Sequence, residues 1–217
     1  MIEAFIGLPG MGKTLGATER VCRALKRGVD VYSNVPITDY LYGSERSTKI
    51  FRGLKTFLTV KNALIFMDEA NILLDSRQFG RTPPEVLHKL AQSRKYGLDL
   101  IYTTQGFKHS EARLRQLTNY VWDARRINVL GAPIFRYDLY DPEDFEMKTP
   151  KFYRERLSVY WLFPWFFVRG FSTRFKYKYL KKLYSCYDTF DIIDVIDLQT
   201  NDRHHKVQNT DKRKFSI

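Results

Sequence analysis

The residues best suited to chemistry form a glycine-rich segment of eight positions near the start of the chain. The segment lies between a short apolar run, Ile2–Ile6, and a stretch with helical periodicity. In order it reads Gly7, Leu8, Pro9, Gly10, Met11, Gly12, Lys13 and Thr14. Glycines at this spacing let backbone N–H groups turn around phosphate oxygens, while the lysine reaches the β and γ phosphates and the threonine hydroxyl ligates Mg²⁺. The pattern favours a P-loop that binds ATP and Mg²⁺ over an incidental glycine turn.

Two acidic residues, Asp68 and Glu69, follow the apolar run Ala63–Met67. An aspartate at the carboxyl end of a buried strand can hold Mg²⁺, and an adjacent glutamate can polarise an attacking water. The alternative is a helix N-cap followed by a surface acid. Next to a P-loop, the pair predicts ATP hydrolysis, with Asp68 at the metal and Glu69 as the catalytic residue.

Gln105 follows another apolar run, Leu98–Thr104. The carboxyl ends of neighbouring parallel strands meet at one edge of a sheet, so this amide is expected near the phosphates. There it could sense the γ-phosphate or orient water. A loop residue that only hydrogen-bonds locally is the alternative.

The elements that must position these residues follow an α/β pattern, in which a mostly parallel sheet is flanked by helices. A helix is predicted over Lys13–Arg27, and another begins at Pro83-Pro84 and stops at Gly97. After a turn at Asn128–Pro133, Ile134–Tyr140 alternates as an antiparallel strand. The other predicted strands are Ile2–Ile6, Val29–Val35, Ala63–Met67, Leu98–Thr104 and Tyr120–Ala124.

The 217 residues carry a formal net charge of +12, which predicts a polyanionic partner such as nucleic acid or an acidic membrane surface. Residues 1–150 contain 22 basic and 17 acidic side chains, whereas 151–217 contain 14 and 7. We expect an ATPase core at 1–150, a basic aromatic extension packed on it at 151–198, and a flexible basic tail at 199–217.

The cysteine and histidine content indicates no metal centre. Cys22 and Cys186 have neither metal-ligand spacing nor a disulfide pattern, which suits a reducing compartment. The four histidines do not form a ligand set. The chain also begins with the strand and P-loop and not with a signal peptide, which predicts a cytoplasmic start.

Several motifs together resemble the FtsK/HerA superfamily of DNA-pumping ATPases, and within it the Zot-like (zonula occludens toxin-like) viral ATPases. The resemblance covers roughly residues 1–127 by motif, and Tyr187–Thr189 is similar to the Tyr-Asp-Thr that closes the motor domain of that branch. The motifs are the P-loop, the strand ending Tyr32-Ser33-Asn34-Val35, the apolar run before Asp68-Glu69, and the run from Arg94 through Gly97 to Thr104-Gln105.

The resemblance implies a RecA-like sheet and a homo-oligomeric ring, expected to be a hexamer, that uses ATP to move viral DNA. It carries over Lys13, Thr14, Asp68, Glu69 and Gln105 position by position. Arg94 matches a basic position near a neighbouring subunit's nucleotide, with a surface salt bridge as the alternative. The implied partners are DNA, further copies of the chain, and capsid vertex or virion membrane proteins. The expected location is the host cytoplasm or the virion.

One departure concerns the membrane. Filamentous-phage members of that branch carry a transmembrane helix and a periplasmic part. Here the most apolar stretch, Tyr160–Val168, has nine residues including Pro164, whereas a span needs about 20. This stretch suits either a core strand pair or an exposed patch for a partner. The departure favours packaging of DNA into a capsid over extrusion at a membrane, and no transmembrane segment is expected.

Two other functions fit parts of the sequence. A small P-loop kinase for a nucleoside or metabolite suits the chain length, although Glu69 and the basic charge favour a hydrolase that binds DNA. A morphogenesis module that uses ATP as a switch could attach to a membrane through the aromatic segment and the basic run. ATP turnover stimulated by DNA would distinguish a motor from both.

Overall fold

A computed structural model describes residues 1–51, 54–70, 84–110, 112–129, 132–146 and 177–187. In these ranges, seven strands form one sheet in the order β3-β2-β4-β5-β1-β6-β7. Every neighbouring pair is parallel except β6 and β7, which are antiparallel. The strands are β1 (Ile2–Ile6), β2 (Asp30–Ser33), β3 (Lys49–Ile50), β4 (Ala63–Met67), β5 (Leu98–Thr104), β6 (Tyr120–Val129) and β7 (Ala132–Tyr140).

Helices lie on both faces of this sheet, and each face has its own apolar core. Phe5, Phe66 and Trp122 point to the α1 face, whereas Ile6 and Met67 point to the other. All five residues of β1 and of β4 are buried, as expected for central strands covered on both faces. The helices are α1 (Lys13–Lys26), α2 (Leu54–Thr59), α3 (Pro84–Ala91), α4 (Ala112–Leu117), α5 (Pro142–Glu146) and α6 (Tyr177–Tyr184).

The register of the parallel strands brings their carboxyl ends together. Ile6 at the end of β1 pairs with Thr104 on one side and Asp123 on the other. In β4, Met67 pairs with Tyr102 of β5. The P-loop, Asp68 and Gln105 therefore all begin at the same edge of the sheet. The predicted α/β fold with a mostly parallel sheet is confirmed.

Some local predictions were wrong at their boundaries. The predicted turn at Asn128–Pro133 is shorter, because the antiparallel ladder of β6 and β7 continues to the pair Val129 and Ala132. The second predicted helix ends at Ala91, and a 3-10 turn over Ser93–Tyr96 leads to Gly97. Strand β3 and helix α2 are short elements that the sequence patterns did not indicate.

The C-terminal helix α6 packs against α1. Leu180, Leu183 and Cys186 recur every third residue and are buried in the core on the α1 face. Beyond the helix, the Thr38 N–H donates to the Cys186 carbonyl at 2.9 Å, and Tyr187 forms a β-bridge with Ile37. The contacts tie this segment to the loop that follows β2.

Other predictions fall outside the described residues. These are the Tyr160–Val168 segment, the boundary near 150 and the tail from 199, so the domain division stays a prediction. Among the helices that the structure describes, none is long and apolar enough to cross a membrane.

Candidate nucleotide-binding site

The P-loop connects β1 to α1 and places the amino end of α1 at the carboxyl edge of the sheet. Gly12 adopts φ 85°, a left-handed conformation that favours glycine. A Cβ there would lie 2.4 Å from the ring of Phe135, so β7 also excludes a larger residue. The N–H groups and partial positive charge at the start of α1 suit a bound phosphate.

Lys13, the first residue of α1, is the buried cation of the site. Its side chain is 6% exposed. Its Nζ donates to the Leu8 carbonyl at 3.4 Å and lies 3.8 Å from the Glu69 Oε1 atom. The ammonium group thus contacts the Leu8 carbonyl on one side and the Glu69 carboxylate on the other. When a nucleotide is bound to a P-loop, its β and γ phosphates lie beside this lysine.

Asp68 follows β4 and accepts hydrogen bonds from two threonines. Thr14 Oγ1 donates to its Oδ1 atom at 2.9 Å, and Thr103 Oγ1 donates to the same atom at 2.6 Å. Burial raises the pKa of this carboxyl above its usual value, and the threonine hydrogen bonds and the Lys13 charge oppose the rise. The hydroxyl of Thr14 and the carboxylate of Asp68 are hard oxygen donors in contact, a set that fits Mg²⁺.

Glu69 is the half-buried carboxylate of the site, and its φ of 48° is unusual for a residue with a Cβ. Its N–H donates to Thr103 Oγ1 at 2.8 Å. Burial raises the pKa of its side chain, the Lys13 charge lowers it, the Asp68 charge raises it, and a hydrogen bond with the Gln105 side chain lowers it. Gln105 therefore lies near enough to Glu69 to affect the pKa of its carboxylate.

Arg94 lies apart from these residues. It is exposed in the 3-10 turn that precedes β5, at the amino edge of the sheet. Since β5 has seven residues, the two edges are roughly 20 Å apart. The structure does not bring Arg94 to the nucleotide site of its own chain, and action on a neighbouring subunit stays a prediction.

Two residues at this edge had no role assigned from the sequence. Asn34 directly follows β2, and both its amide oxygen and its amide nitrogen bond the backbone of Asp68. Thr103 is the partner of both Asp68 and Glu69. The signal that could have identified them is positional, because a polar residue at the carboxyl end of a buried parallel strand lies at the edge where ligands bind.

Strand β7 reaches the P-loop from the antiparallel side of the sheet. The Tyr137 hydroxyl donates to the Gly12 carbonyl at 2.8 Å. A Cβ on Gly16 would lie 2.4 Å from the ring of Tyr137. Phe135 and Tyr137 thus pack directly on the start of α1. The sequence alone does not predict this contact, because the residues lie more than 100 positions apart.

The site combines an anion-binding loop, a buried cation and two carboxylates. The loop follows β1, and the carboxylates follow β4, which lies two positions from β1 in the sheet. Its parts can hold a phosphate chain through backbone N–H groups and Lys13. They can also hold a carboxylate, that of Glu69, near that chain with a pKa above its usual value. This arrangement suits cleavage of a phosphoanhydride by water.

Comparison with known proteins identifies related sequences. The sequence model of a family described as Zonular occludens toxin (Zot) matches residues 1–152. The Gene 1 protein of Salmonella phage IKe is 27% identical over 149 residues, which cover 59% of this chain and 41% of that protein. The chain thus spans about two fifths of the length of this relative. The family match confirms the Zot-like resemblance of the motifs.

Solved structures are also similar to this chain. The N-terminal domain of zonular occludens toxin from Neisseria meningitidis is 19% identical, with a TM-score of 0.54 over 86% of this chain and 98% of that one. The genome packaging NTPase B204 from Sulfolobus turreted icosahedral virus 2, in complex with ATP-gammaS, is 14% identical, with a TM-score of 0.48 over 66% and 93%.

Proposed function

The chain belongs to the zonular occludens toxin family, and from that premise we propose that it is an ATP-hydrolysing motor that translocates viral DNA. The observation that carries the proposal is the convergence of Lys13, Thr14, Asp68 and Glu69 at one edge of the sheet. A phosphate-binding loop alone would support binding. The half-buried carboxylate beside it supports hydrolysis.

Each residue has a role in this proposal. The P-loop N–H groups and Lys13 bind the β and γ phosphates, and their charge is complementary to the charge that develops during transfer. Glu69 accepts a proton from the attacking water, and Gln105 orients that water. Mg²⁺ held by Thr14 and Asp68 would neutralise phosphate charge.

DNA is the proposed substrate for movement. The chain has 36 basic and 24 acidic residues, and this excess suits binding through DNA phosphates, with little sequence preference and strong weakening by salt. A homo-oligomeric ring, expected to be a hexamer, would surround the DNA. Capsid vertex or virion membrane proteins are proposed as further partners, in the host cytoplasm or the virion.

Between packaging and extrusion, the sequence predicts packaging of DNA into a capsid. Extrusion at a membrane is the second candidate, which the resemblance to filamentous-phage members of this branch suggests. Both can be tested in cells that produce the virus with a Lys13→Ala variant. Packaging predicts loss of nuclease-resistant DNA inside the cells, whereas extrusion predicts its loss only from the medium.

The experiment that tests the motor is ATP turnover of the purified chain, measured without DNA and with single- or double-stranded DNA. We expect DNA to stimulate the parent, and Glu69→Gln to bind ATP while losing turnover by about 10²- to 10⁴-fold, the usual contribution of a general base. Glu45→Gln is the matched control, because Glu45 also has a left-handed φ, 53°, in a loop away from the site. Turnover indifferent to DNA but dependent on a small-molecule acceptor would instead support a kinase.

A further inference from the structure

The turn that carries both carboxylates is held by side chains from the strands on either side of β4. The β2–β4 ladder ends with the pair Ser33 and Phe66. One residue further, the Asn34 side chain continues the pairing. The Asp68 N–H donates to Asn34 Oδ1 at 2.8 Å, and Asn34 Nδ2 donates to the Asp68 carbonyl at 2.9 Å.

This contact uses both polar ends of one amide on both backbone groups of one residue. A single hydrogen bond would allow the peptide to rotate about it, whereas two bonds on opposite sides of Asp68 fix the orientation of its backbone. On the β5 side, Thr103 accepts the N–H of Glu69 at 2.8 Å. The two contacts together hold the backbone on both sides of the Asp68–Glu69 peptide.

The turn needs such support because Glu69 is held at φ 48°. A left-handed residue with a Cβ costs about 1–2 kcal/mol relative to the right-handed region. Unusual backbone angles persist only where the surroundings enforce them, and they concentrate at functional sites. If the turn relaxed to negative φ, the side chain of Glu69 would leave Lys13, whose Nζ now lies 3.8 Å from its Oε1 atom.

We propose that Asn34 is a positioning residue that fixes the direction of the Glu69 carboxylate by clamping the backbone of Asp68. This inference rests on the proposed function, in which Glu69 activates the attacking water. Asn34 touches neither nucleotide nor water in this role. Its loss therefore affects the chemical step more than the binding of ATP.

The first test compares Asn34→Ala with the parent by steady-state ATP turnover and by affinity for a non-hydrolysable ATP analogue. We expect kcat to fall by about 10- to 100-fold, as is usual when the partner that orients a reactive group is removed. The KM and the analogue affinity should change by less than about threefold, since kcat and KM separate when only the transition state is affected.

Asn119→Ala is the matched control. Asn119 Oδ1 accepts the Ile2 N–H at 2.8 Å, so this variant also removes an amide contact to a strand end, but at the opposite edge of the same sheet. Both variants should lose thermal stability, Asn34→Ala somewhat more because it removes two hydrogen bonds and Asn119→Ala one, but only Asn34→Ala should lose kcat. Equal kcat in the two variants, or a loss of analogue affinity that matches the loss of kcat, would overturn the proposal.

Asn34→Asp gives a second signature that packing alone would not produce. The introduced carboxylate has nearly the shape of the amide and keeps an acceptor for the Asp68 N–H, but it cannot donate to the Asp68 carbonyl. We therefore expect kcat to fall although the volume of the side chain is kept, and a kcat equal to that of the parent would contradict the clamp.

Glu69→Gln, assayed in parallel, distinguishes failure of the proposed function from failure of the role of Asn34. If that variant retains full turnover, the proposed function fails and the role of Asn34 fails with it. If Glu69→Gln is inactive while Asn34→Ala is as active as the parent, only the inference about Asn34 fails.

Discussion

At both the amino and the carboxyl edge of the sheet, side chains form hydrogen bonds with the backbone, but the two sets of bonds serve different purposes. At the amino edge, Asn119 binds the N–H of Ile2, and the ammonium group of Met1 pairs with Asp99, which is exposed. At the carboxyl edge, Asn34 and Thr103 bind the backbone around Asp68, a mostly buried carboxylate with a raised pKa. The contacts at the amino edge satisfy backbone groups at the strand ends, and the charges there stay exposed to water. The carboxyl edge uses side chains to hold charges where burial disfavours them, as expected of a reactive site.

The largest effect should come from removing the cation at the carboxyl edge. Lys13→Ala should reduce ATP hydrolysis by at least about 10²-fold, because one preorganised group aimed at transition-state charge contributes that much. Nucleotide affinity should fall as well, and the fold should remain intact. Lys26→Ala, an exposed lysine in the last turn of the same helix, should leave turnover unchanged. A pure, folded Lys13→Ala variant with parental turnover would exclude the P-loop assignment.

The next prediction asks whether the amino edge takes part in catalysis across a subunit boundary. If Arg94 completes a neighbour's site, Arg94→Ala should lower turnover of the assembled ring by about 10³-fold or more, the range for an arginine supplied in trans. Mixing Arg94→Ala with Lys13→Ala subunits should recover activity, since some interfaces then combine an intact P-loop with an intact Arg94. No recovery after verified co-assembly would assign Arg94 a surface role.

The sequence predicted the elements with strong local patterns. Strands β1, β4 and β5 were predicted with the boundaries that the structure shows, because each is a mostly apolar run next to a glycine or a polar residue. Helix α6 was not predicted, since its apolar positions lie among many lysines and tyrosines. Its burial depends on α1, more than 150 positions earlier.

At the site, too, local motifs were predictable and contacts between distant residues were not. Lys13, Asp68, Glu69 and Gln105 follow from motif and strand order, because parallel topology fixes where strand ends meet. The clamp of Asn34 on Asp68 depends on the register between β2 and β4, which a single sequence does not determine. Tyr137 is still less visible, because its contact with Gly12 crosses 125 positions.

A third prediction concerns the stability cost of the buried carboxylate. Asp68 has a raised pKa in the folded chain, so its contribution to stability is fully present below the ordinary aspartate pKa and is lost as the pH rises through the folded value. Asp68→Asn should therefore raise the melting temperature of the nucleotide-free chain at pH 7. The gain should shrink as the pH is lowered towards about 4, where both states protonate.

The control for this effect lies at the amino edge. Asp99 is exposed and paired with the Met1 ammonium group. Asp99→Asn should change the melting temperature little, because an exposed ion pair contributes about 0–1 kcal/mol. A destabilised Asp68→Asn variant at pH 7 would mean that the hydrogen bonds from Thr14 and Thr103 outweigh the burial of the charge.

The smallest effect is expected where β7 supports the P-loop. Tyr137→Phe removes one hydrogen bond to the Gly12 carbonyl, which still accepts the Gly16 N–H at 3.0 Å. Unfolding free energy should fall by about 1 kcal/mol, the usual net value of one hydrogen bond.

Tyr102→Phe is the control, because the buried hydroxyl of Tyr102 forms a hydrogen bond with Thr118 at 2.9 Å, away from the P-loop. Both should lose similar stability in a denaturant titration, but only Tyr137→Phe should weaken nucleotide affinity, by about two- to threefold, equivalent to about 0.5 kcal/mol. Equal affinities in the two variants would limit β7 to a packing role and leave the carboxyl edge to the P-loop, Asn34 and Thr103.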